Sequence, residues 1–329
     1  MSNVYFFGSL AYHDETILRP IFNELRLNGM NVSHHATDPD GGLVHIPGHE
    51  SAVVYSWQAM VRDFQALPIK SDDCIFISDF WNPAVFEIKF LLARTGRKNT
   101  RIFTIHHGSS HLPGDFAAAS EFAPWVSRAE EAWVSCYDTI FCGSDKITKI
   151  MKAKCPSGNF VTSYLPITSL LSTVRSVEHS KLKRIENTAI MPLRMDPDKG
   201  VDDFIRFVDN NPDFTFYAFA AEDKWKRPNL VIEPQSTREI LFRREQQCEF
   251  VVSFAKQETF GYGVVEAVLN GCIPVLQGSE TNCYQELFPR NTLESSLVDK
   301  KLQFYRMMTV PNIHWLAGYA EKVIAASMR

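Results

Sequence analysis

Short apolar runs alternate with longer amphipathic stretches along this chain, and turn residues mark the joins. Val4 to Phe7 is an apolar run that stops at Gly8-Ser9, and Glu15 to Leu27 follows with helical spacing and a C-cap glycine at Gly29. Cys74 to Ser78 predicts a second strand and Phe86 to Arg94 a helix. Arg101 to Ile105 predicts a strand running into His106-His107-Gly108, and Thr139 to Cys142 another, closing at Gly143-Ser144 before the helical DKITKIMKAK. Strands that end in glycine or serine and alternate with helices imply βαβ units and a parallel sheet.

The rhythm breaks from about Pro166 to Asn187, a polar stretch rich in Ser, Lys and Arg that reads as a linker. A second series then begins. Thr188 to Leu193, Phe214 to Phe219, Val231-Ile232, Glu249 to Phe254 and Ile273 to Leu276 predict strands. Val201 to Val208 and Val264 to Leu269 predict helices, the latter closed by Gly271, and a third helix opens at Ser236 with Glu239 at capping-box spacing. The expected division is residues 1–166, a linker at 167–187, a second α/β domain at 188–310, and a helix within 311–329 that can cross back to the first domain. Ligands of open parallel sheets bind beyond the C-terminal strand ends, so two such sheets facing each other would form an interdomain cleft for substrate.

Composition narrows the function classes. The 329 residues exceed most single cores, and 45% hydrophobic with 22% charged residues is ordinary for a soluble globular protein. A net charge of −4 gives no electrostatic footprint for nucleic acid. The seven cysteines form no C-x-x-C pair, which fits reduced, buried thiols in a cytoplasmic protein. The N-terminus lacks a basic n-region, and no apolar run approaches the roughly 20 residues of a membrane span. Peripheral membrane contact stays open.

The chemistry concentrates between Ser253 and Gly278, SFAKQETFGYGVVEAVLNGCIPVLQG. Two strands flank a glycine loop and a helix. Gly261 and Gly263 would let the backbone approach a bulky anion, and the helix start would offer N–H groups and its positive dipole end. Glu258, on the loop, can accept hydrogen bonds from sugar hydroxyls. Glu266, inside the apolar VVEAVL helix, needs a partner or ligand such as a ribose. A pair of glutamates eight positions apart is by itself common on solvated helices; the dense surroundings are what favour a site.

The segment resembles the two-glutamate donor motif of retaining GT-B glycosyltransferases (glycosyl transferases group 1), on Glu258, Phe260, Gly261, Glu266, Ala267, Gly271, Pro274 and Val275. MPLRMDPDKGVDDFIRF, Met191 to Phe207, resembles the same family's arginine and lysine-glycine pattern through Arg194 and Lys199. The resemblance implies two Rossmann-like domains with parallel sheets facing an interdomain cleft. It implies a nucleoside-diphosphate sugar donor, a UDP-sugar favoured, with no cofactor and no metal required. Arg194 and Lys199 would grip the diphosphate. Thr259, Phe260, Gly261, Tyr262 and Gly263 would line the donor with Glu258 and Glu266. Pro234 and Gln235 occupy the place where the family contacts the nucleobase, without its usual glycine.

In the N-terminal half, Gly8 and Ser9 sit where the family places a loop beside the donor phosphate, and FTIHHG resembles a strand ending in a histidine that approaches the donor sugar. His107 is preferred over His106 for that role, and surface polarity or a core hydrogen bond is the plainer alternative for either. His111 adds a third imidazole, but no spacing completes a zinc site. Aromatic residues around Trp81 and Trp125 could stack on an acceptor, though core packing is commoner. The implied reaction is transfer of a hexosyl or pentosyl group with retention, the departing diphosphate helping to deprotonate the acceptor hydroxyl, with Glu258, His107, Lys199 and Arg194 as the catalytic group. The acceptor is a glycan or glycolipid in most of the family. Two other readings stand beside it: a phage-type transferase acting on hydroxymethylated bases of DNA, and a non-catalytic sugar-nucleotide-binding subunit.

Overall fold

A computed structural model describes the chain apart from residues 1–2, 9–17, 37–49, 116–117, 119–122, 178–181, 221–222, 235–237 and 329. The chain divides into two compact units, Met1–Leu112 with Phe116–Ser169 and Leu316–Arg329, and Pro113–Asp115 with Leu170–Trp315.

The first unit runs β1 (Asn3–Gly8), α1 (Arg19–Leu27), β2 (Asn31–Ala36), α2 (Glu50–Ala66), β3 (Cys74–Ile77), α3 (Ala84–Arg94), β4 (Arg101–His106), α4 (Ala123–Val134), β5 (Thr139–Cys142), α5 (Asp145–Lys154) and β6 (Phe160–Thr162). Its strands form one parallel sheet in the order β2-β1-β3-β4-β5-β6. β3 and β5 are buried along their whole length, as strands covered on both faces must be. Across one face the rings of Phe6, Phe76, Phe141 and Phe103 form a stacked row with centroids 4.6 to 6.3 Å apart. Ser144 starts α5 by accepting the Ile147 N–H with its side chain, a cap of about 1 kcal/mol.

The second unit begins in α6 (Thr168–Val177) and continues β7 (Ile185–Arg194), α7 (Val201–Asn210), β8 (Thr215–Phe219), β9 (Leu230–Glu233), α8 (Arg238–Gln247), β10 (Cys248–Ser253), β11 (Gln257–Glu258), α9 (Tyr262–Leu269), β12 (Ile273–Gln277), β13 (Thr281–Asn282), α10 (Tyr284–Leu287) and β14 (Thr292–Leu293). Its sheet is ordered β14-β12-β10-β7-β8-β9, all parallel, with β11 and β13 forming a separate two-stranded ladder. Phe204, Phe207, Phe216, Phe250 and Phe254 meet at its centre.

Both sheets therefore start in the middle. In the first, the chain goes from β1 outward to β2 and then crosses to β3 on the other side. In the second it goes from β7 through β8 and β9, then crosses to β10. Each crossing is a topological switch point, where the loops leaving the two strands part and open a crevice.

The expected linker contains a helix. Leu170, Leu171 and Val174 of α6 are buried at helical spacing, and these three apolar positions outweigh the polar density around them. The C-terminal helix α11 (Tyr319–Met328) belongs to the first unit, where the Met328 carbonyl accepts from Arg101 and the Cys74 thiol. Gly318, at φ 71°, directly precedes this helix, which lies within the 311–329 stretch expected to hold one. All seven cysteines are buried, and none is in a disulfide.

Candidate functional site

The switch point of the second sheet gathers the charged residues. Arg194 ends β7, and a short 3-10 helix, Pro197–Lys199, leads through Gly200 into α7. Opposite, β10 leaves the sheet at Ser253 and returns as β11, which carries Glu258. The two turns are tied together, since the Lys256 N–H donates to the Asp198 carbonyl at 3.1 Å. Gly200 adopts φ 72°, and a Cβ there would stand 2.3 Å from the Phe254 carbonyl oxygen, so only glycine lets the turns approach this closely.

Lys199 reaches across this contact. Its Nζ donates to Glu258 Oε2 at 3.0 Å and lies 3.4 Å from Asp198 Oδ2. Arg194 Nη1 lies 3.0 Å from Asp196 Oδ2 and its Nη2 3.6 Å from Asp198 Oδ2. The Lys199 and Glu258 side chains are 13% and 16% exposed, whereas Arg194 is 64% exposed. Burial disfavours the Lys199 charge, but the Glu258 and Asp198 carboxylates and the Glu258 hydrogen bond outweigh it, and the ammonium's pKa rises above its ordinary value. Lys199 is a fixed cation rather than a proton donor near neutral pH.

Glu258 is held from behind. β11 pairs with β13 in register Gln257 to Thr281 and Glu258 to Asn282, and the Cys283 N–H donates to the Glu258 carbonyl at 3.0 Å. The Asn282 side chain donates to the Ala255 and Gln277 carbonyls, both at 2.9 Å. Tyr284, fully buried, shares a 2.9 Å hydrogen bond with Ser253 Oγ, and burial pushes its phenol far above the ordinary range. Sequence reasoning passed over this support. The signal was an asparagine and a tyrosine closely following the apolar IPVL strand.

α9 opens at Gly261, φ 74°, with no side-chain cap, a helix end suited to an anion. The glycines themselves answer to the protein. A Cβ on Gly261 would meet the Tyr284 ring at 2.8 Å and Glu258 Cγ at 3.2 Å, and one on Gly263 the Pro192 carbonyl oxygen at 3.1 Å. These two glycines let α9 pack closely against α10 and the bulged end of β7. Thr259 and Phe260 are buried, Phe260 edge-on to Tyr262 at 5.1 Å. Glu266 is 2% exposed, so Glu258 presents the more open carboxylate.

At the β8–β9 edge, Glu233 pairs with Arg244, whose guanidinium lies 4.0 Å over the Tyr217 ring. Pro234 follows directly and is exposed, while Gln235 lies outside the described residues, as does Ser236 with its expected cap.

The first unit presents its own group at the ends of β1, β3 and β4. Gly8 closes β1 against Ser78, and a Cβ on it would stand 2.2 Å from Ser78 Oγ. His107 Nε2 donates to the Ser78 carbonyl at 3.2 Å, so glycine, serine and histidine cluster at this switch point; Ser9 lies outside the described residues. His106 differs sharply. It is fully buried against Phe80, its ring nitrogens have no hydrogen-bond partner, and burial, helped by His107, pushes its pKa down to about 3. Of the pair, His107 is the imidazole open to a ligand.

A buried carboxylate organises the loop beyond. Glu130 on α4 accepts Ser109 Oγ at 2.6 Å, Ser110 Oγ at 3.0 Å, the Ser110 N–H at 2.9 Å and the Trp81 indole N–H. His111 Nε2 lies 3.8 Å away. Trp81 is therefore committed to this network and to an edge-on contact with Trp133, while Trp125 is 58% exposed. Sequence reasoning missed Glu130, although it falls four residues from both Val126 and Val134 on the apolar face of α4. Among the described residues no cluster of His, Cys, Asp or Glu could hold a metal ion, and no helix is long and apolar enough to cross a membrane.

No protein-family model and no curated protein matches the chain in sequence. Solved structures match it in fold. Sucrose-phosphate synthase from Thermosynechococcus elongatus aligns over 100% of this chain and 94% of its own, with TM-score 0.69 and 14% identity. The alpha,alpha-trehalose 6-phosphate synthase from Burkholderia multivorans aligns over 100% and 93%, with TM-score 0.63 and 11% identity. An Escherichia coli trehalose-6-phosphate protein bound with UDP-2-fluoro glucose aligns over 100% and 96%, with TM-score 0.62 and 12% identity. At such identities the likeness is one of fold, and the fold is the GT-B type, two α/β units each built on a six-stranded parallel sheet.

Proposed function

We propose that this protein is a retaining glycosyltransferase that moves a sugar from a nucleoside-diphosphate sugar, a UDP-sugar by preference, to an acceptor hydroxyl. The observation that carries this reading is the convergence of Arg194, Lys199 and Glu258 at one switch point, beside an uncapped helix start. A diphosphate leaving group needs fixed positive charge where its own charge develops. The permanently charged Lys199 and the exposed Arg194 supply it, and the α9 N–H groups add to it. Glu258 and His107 orient the donor sugar, and Glu266 takes the ribose. Pro234, at the end of β9, takes part in nucleobase binding, as the place of Pro234 and Gln235 in the sequence implies. The departing diphosphate receives the acceptor proton on the face it leaves, which retains the anomeric configuration. Glycan or glycolipid is the acceptor class, and no resident cofactor or metal enters the scheme.

The test is a thermal-shift series with UDP, UDP-glucose, UDP-galactose and UDP-N-acetylglucosamine, followed by release of UDP from each sugar. A ligand at a hundred times its Kd should stabilise the fold by about 2.7 kcal/mol. No shift with any of them, together with no release of UDP, would refute the reading. The anomeric proton coupling of a transferred sugar decides retention.

A further inference from the structure

The turn Arg194-Met195-Asp196-Pro197-Asp198-Lys199-Gly200 carries as many acids as bases. With Glu258 opposite, three carboxylates face the two cations assigned above to the diphosphate. Asp198 is the pivotal one. Its Oδ2 lies 3.6 Å from Arg194 and 3.4 Å from Lys199, so a single oxygen bridges both cations. Asp196 touches Arg194 alone, and that pair is largely exposed, at 44% and 64%.

The position of Asp198 is fixed by its backbone. The Lys199 and Gly200 N–H groups donate to the Asp196 and Pro197 carbonyls at 3.0 and 3.1 Å, closing the 3-10 turn. The Asp198 carbonyl in turn accepts the Lys256 N–H. A carboxylate on so rigid a turn can rotate but cannot leave. It is a resident anion beside the cations that a diphosphate must use.

We propose that Asp198 is an internal competitor that sets the affinity of this site for nucleoside diphosphate. It neutralises Arg194 and Lys199 in the empty site, yields them when the diphosphate arrives, and takes them back as the product leaves. The inference rests on the donor site proposed above. It identifies a residue that weakens binding, whereas Arg194 and Lys199 strengthen it. Its benefit is release: a spent nucleoside diphosphate carries more charge than the donor it came from and would otherwise be held most tightly.

The experiment is calorimetric titration of the full chain with UDP, ADP and GDP, once in buffer containing EDTA and once with magnesium in its place, comparing wild type with Asp198→Asn and Asp196→Asn. Asparagine keeps the shape and the backbone bonds while removing the charge. Each partly exposed pair is worth up to about 1 kcal/mol, so Asp198→Asn should bind the preferred diphosphate about five- to tenfold more tightly and Asp196→Asn about twofold. Added salt should weaken the Asp198→Asn complex more steeply than the wild-type one. Equal or weaker binding by Asp198→Asn would overturn the proposal, because the carboxylate would then be holding the cations in place. So would binding that appears only with a divalent cation and vanishes in Asp198→Asn, because the two aspartates would then be metal ligands. If no diphosphate binds wild type or either variant, the donor site itself fails and the inference falls with it; if wild type binds and the variants match it, the inference alone fails.

Discussion

The two switch points of this protein are built alike and equipped differently. In the second unit, Arg194, Lys199, Asp198 and Glu258 converge within 3.6 Å contacts at the ends of β7 and β10. In the first unit, the corresponding ends of β1, β3 and β4 carry Gly8, Ser78 and His107, joined by one imidazole-to-carbonyl bond. The buried Glu130 side chain of that unit is turned inward to hold a loop. Dense charge in one place and hydrogen-bonding groups in the other suit the division of labour that the proposed function would need. Under the proposed function, a polyanionic diphosphate would need dense fixed charge of this kind.

The sharpest break in this comparison is the loss of the second unit's charge. Lys199→Ala, and separately Glu258→Ala, should lower donor turnover by about 10²- to 10³-fold, as removal of a preorganised transition-state contact does elsewhere. His107→Ala should cost less, because Lys199 and Arg194 still hold the leaving group. UDP release by each folded variant checks the order, and a His107→Ala loss larger than that of Lys199→Ala would reverse the division of labour.

Next in size is the backbone contact that makes the charge cluster. Gly200→Ala introduces a Cβ at φ 72°, 2.3 Å from the Phe254 oxygen, and should destabilise the protein by about 3 kcal/mol in urea unfolding. Gly29, also at positive φ but with open space around it, should tolerate alanine at about 1 kcal/mol.

In the first unit, Glu130→Ala strands the Trp81 indole N–H and the Ser110 N–H without an acceptor, and should cost about 2 kcal/mol. Glu130→Gln keeps one acceptor oxygen for those two donors and should lose less. Equal losses would show that the charge, rather than the accepted bonds, holds the loop.

The last effect is a slope, negligible at neutral pH and growing only in acid. His106 titrates near 3 in the folded protein against about 6.5 unfolded, so below 6.5 the unfolded chain binds the extra proton and stability falls with falling pH. The full contribution is present above pH 6.5. It is lost between there and about pH 3, at up to about 1.4 kcal/mol per pH unit from this residue. His106→Phe, which fills a site already stacked on Phe80, should flatten that slope while leaving stability at pH 7.5 within about 1 kcal/mol. An unchanged slope would mean that another group governs the acid limb.

Much of this was legible in advance. The apolar run Thr139 to Cys142 and the helix Asp145–Lys154 stand where the pattern put them, because a strand end, a serine cap and a periodic helix agree locally. The alternation of strand and helix led to parallel sheets because a parallel connection requires a crossover. Arg194, Lys199 and Glu258 were singled out through the family resemblance of their segments, and folding brings the three together. The helix α6 was hidden, since polar residues outnumber its buried Leu170, Leu171 and Val174. His106 and His107 could not be told apart by alternation, because β4 is buried from Ile102 through His106 and shows no polar face.

What the sequence alone determined is therefore local: the order of elements, their type, and the residues placed at strand ends. Tertiary structure decided everything that depends on a neighbour distant along the chain. It packed Gly261 against Tyr284 and Gly263 against Pro192. It separated a neutral, buried His106 from an open His107, and it made Glu130 the acceptor of a loop some twenty residues upstream. It brought Asp198 to bridge Arg194 and Lys199 and set Glu258 against Lys199, where a sequence shows only charges that alternate in sign. The reason is physical. Periodicity and turn chemistry act over a few residues, whereas burial, ion pairing and the space a Cβ would fill are properties of atoms that only folding brings within a few ångströms.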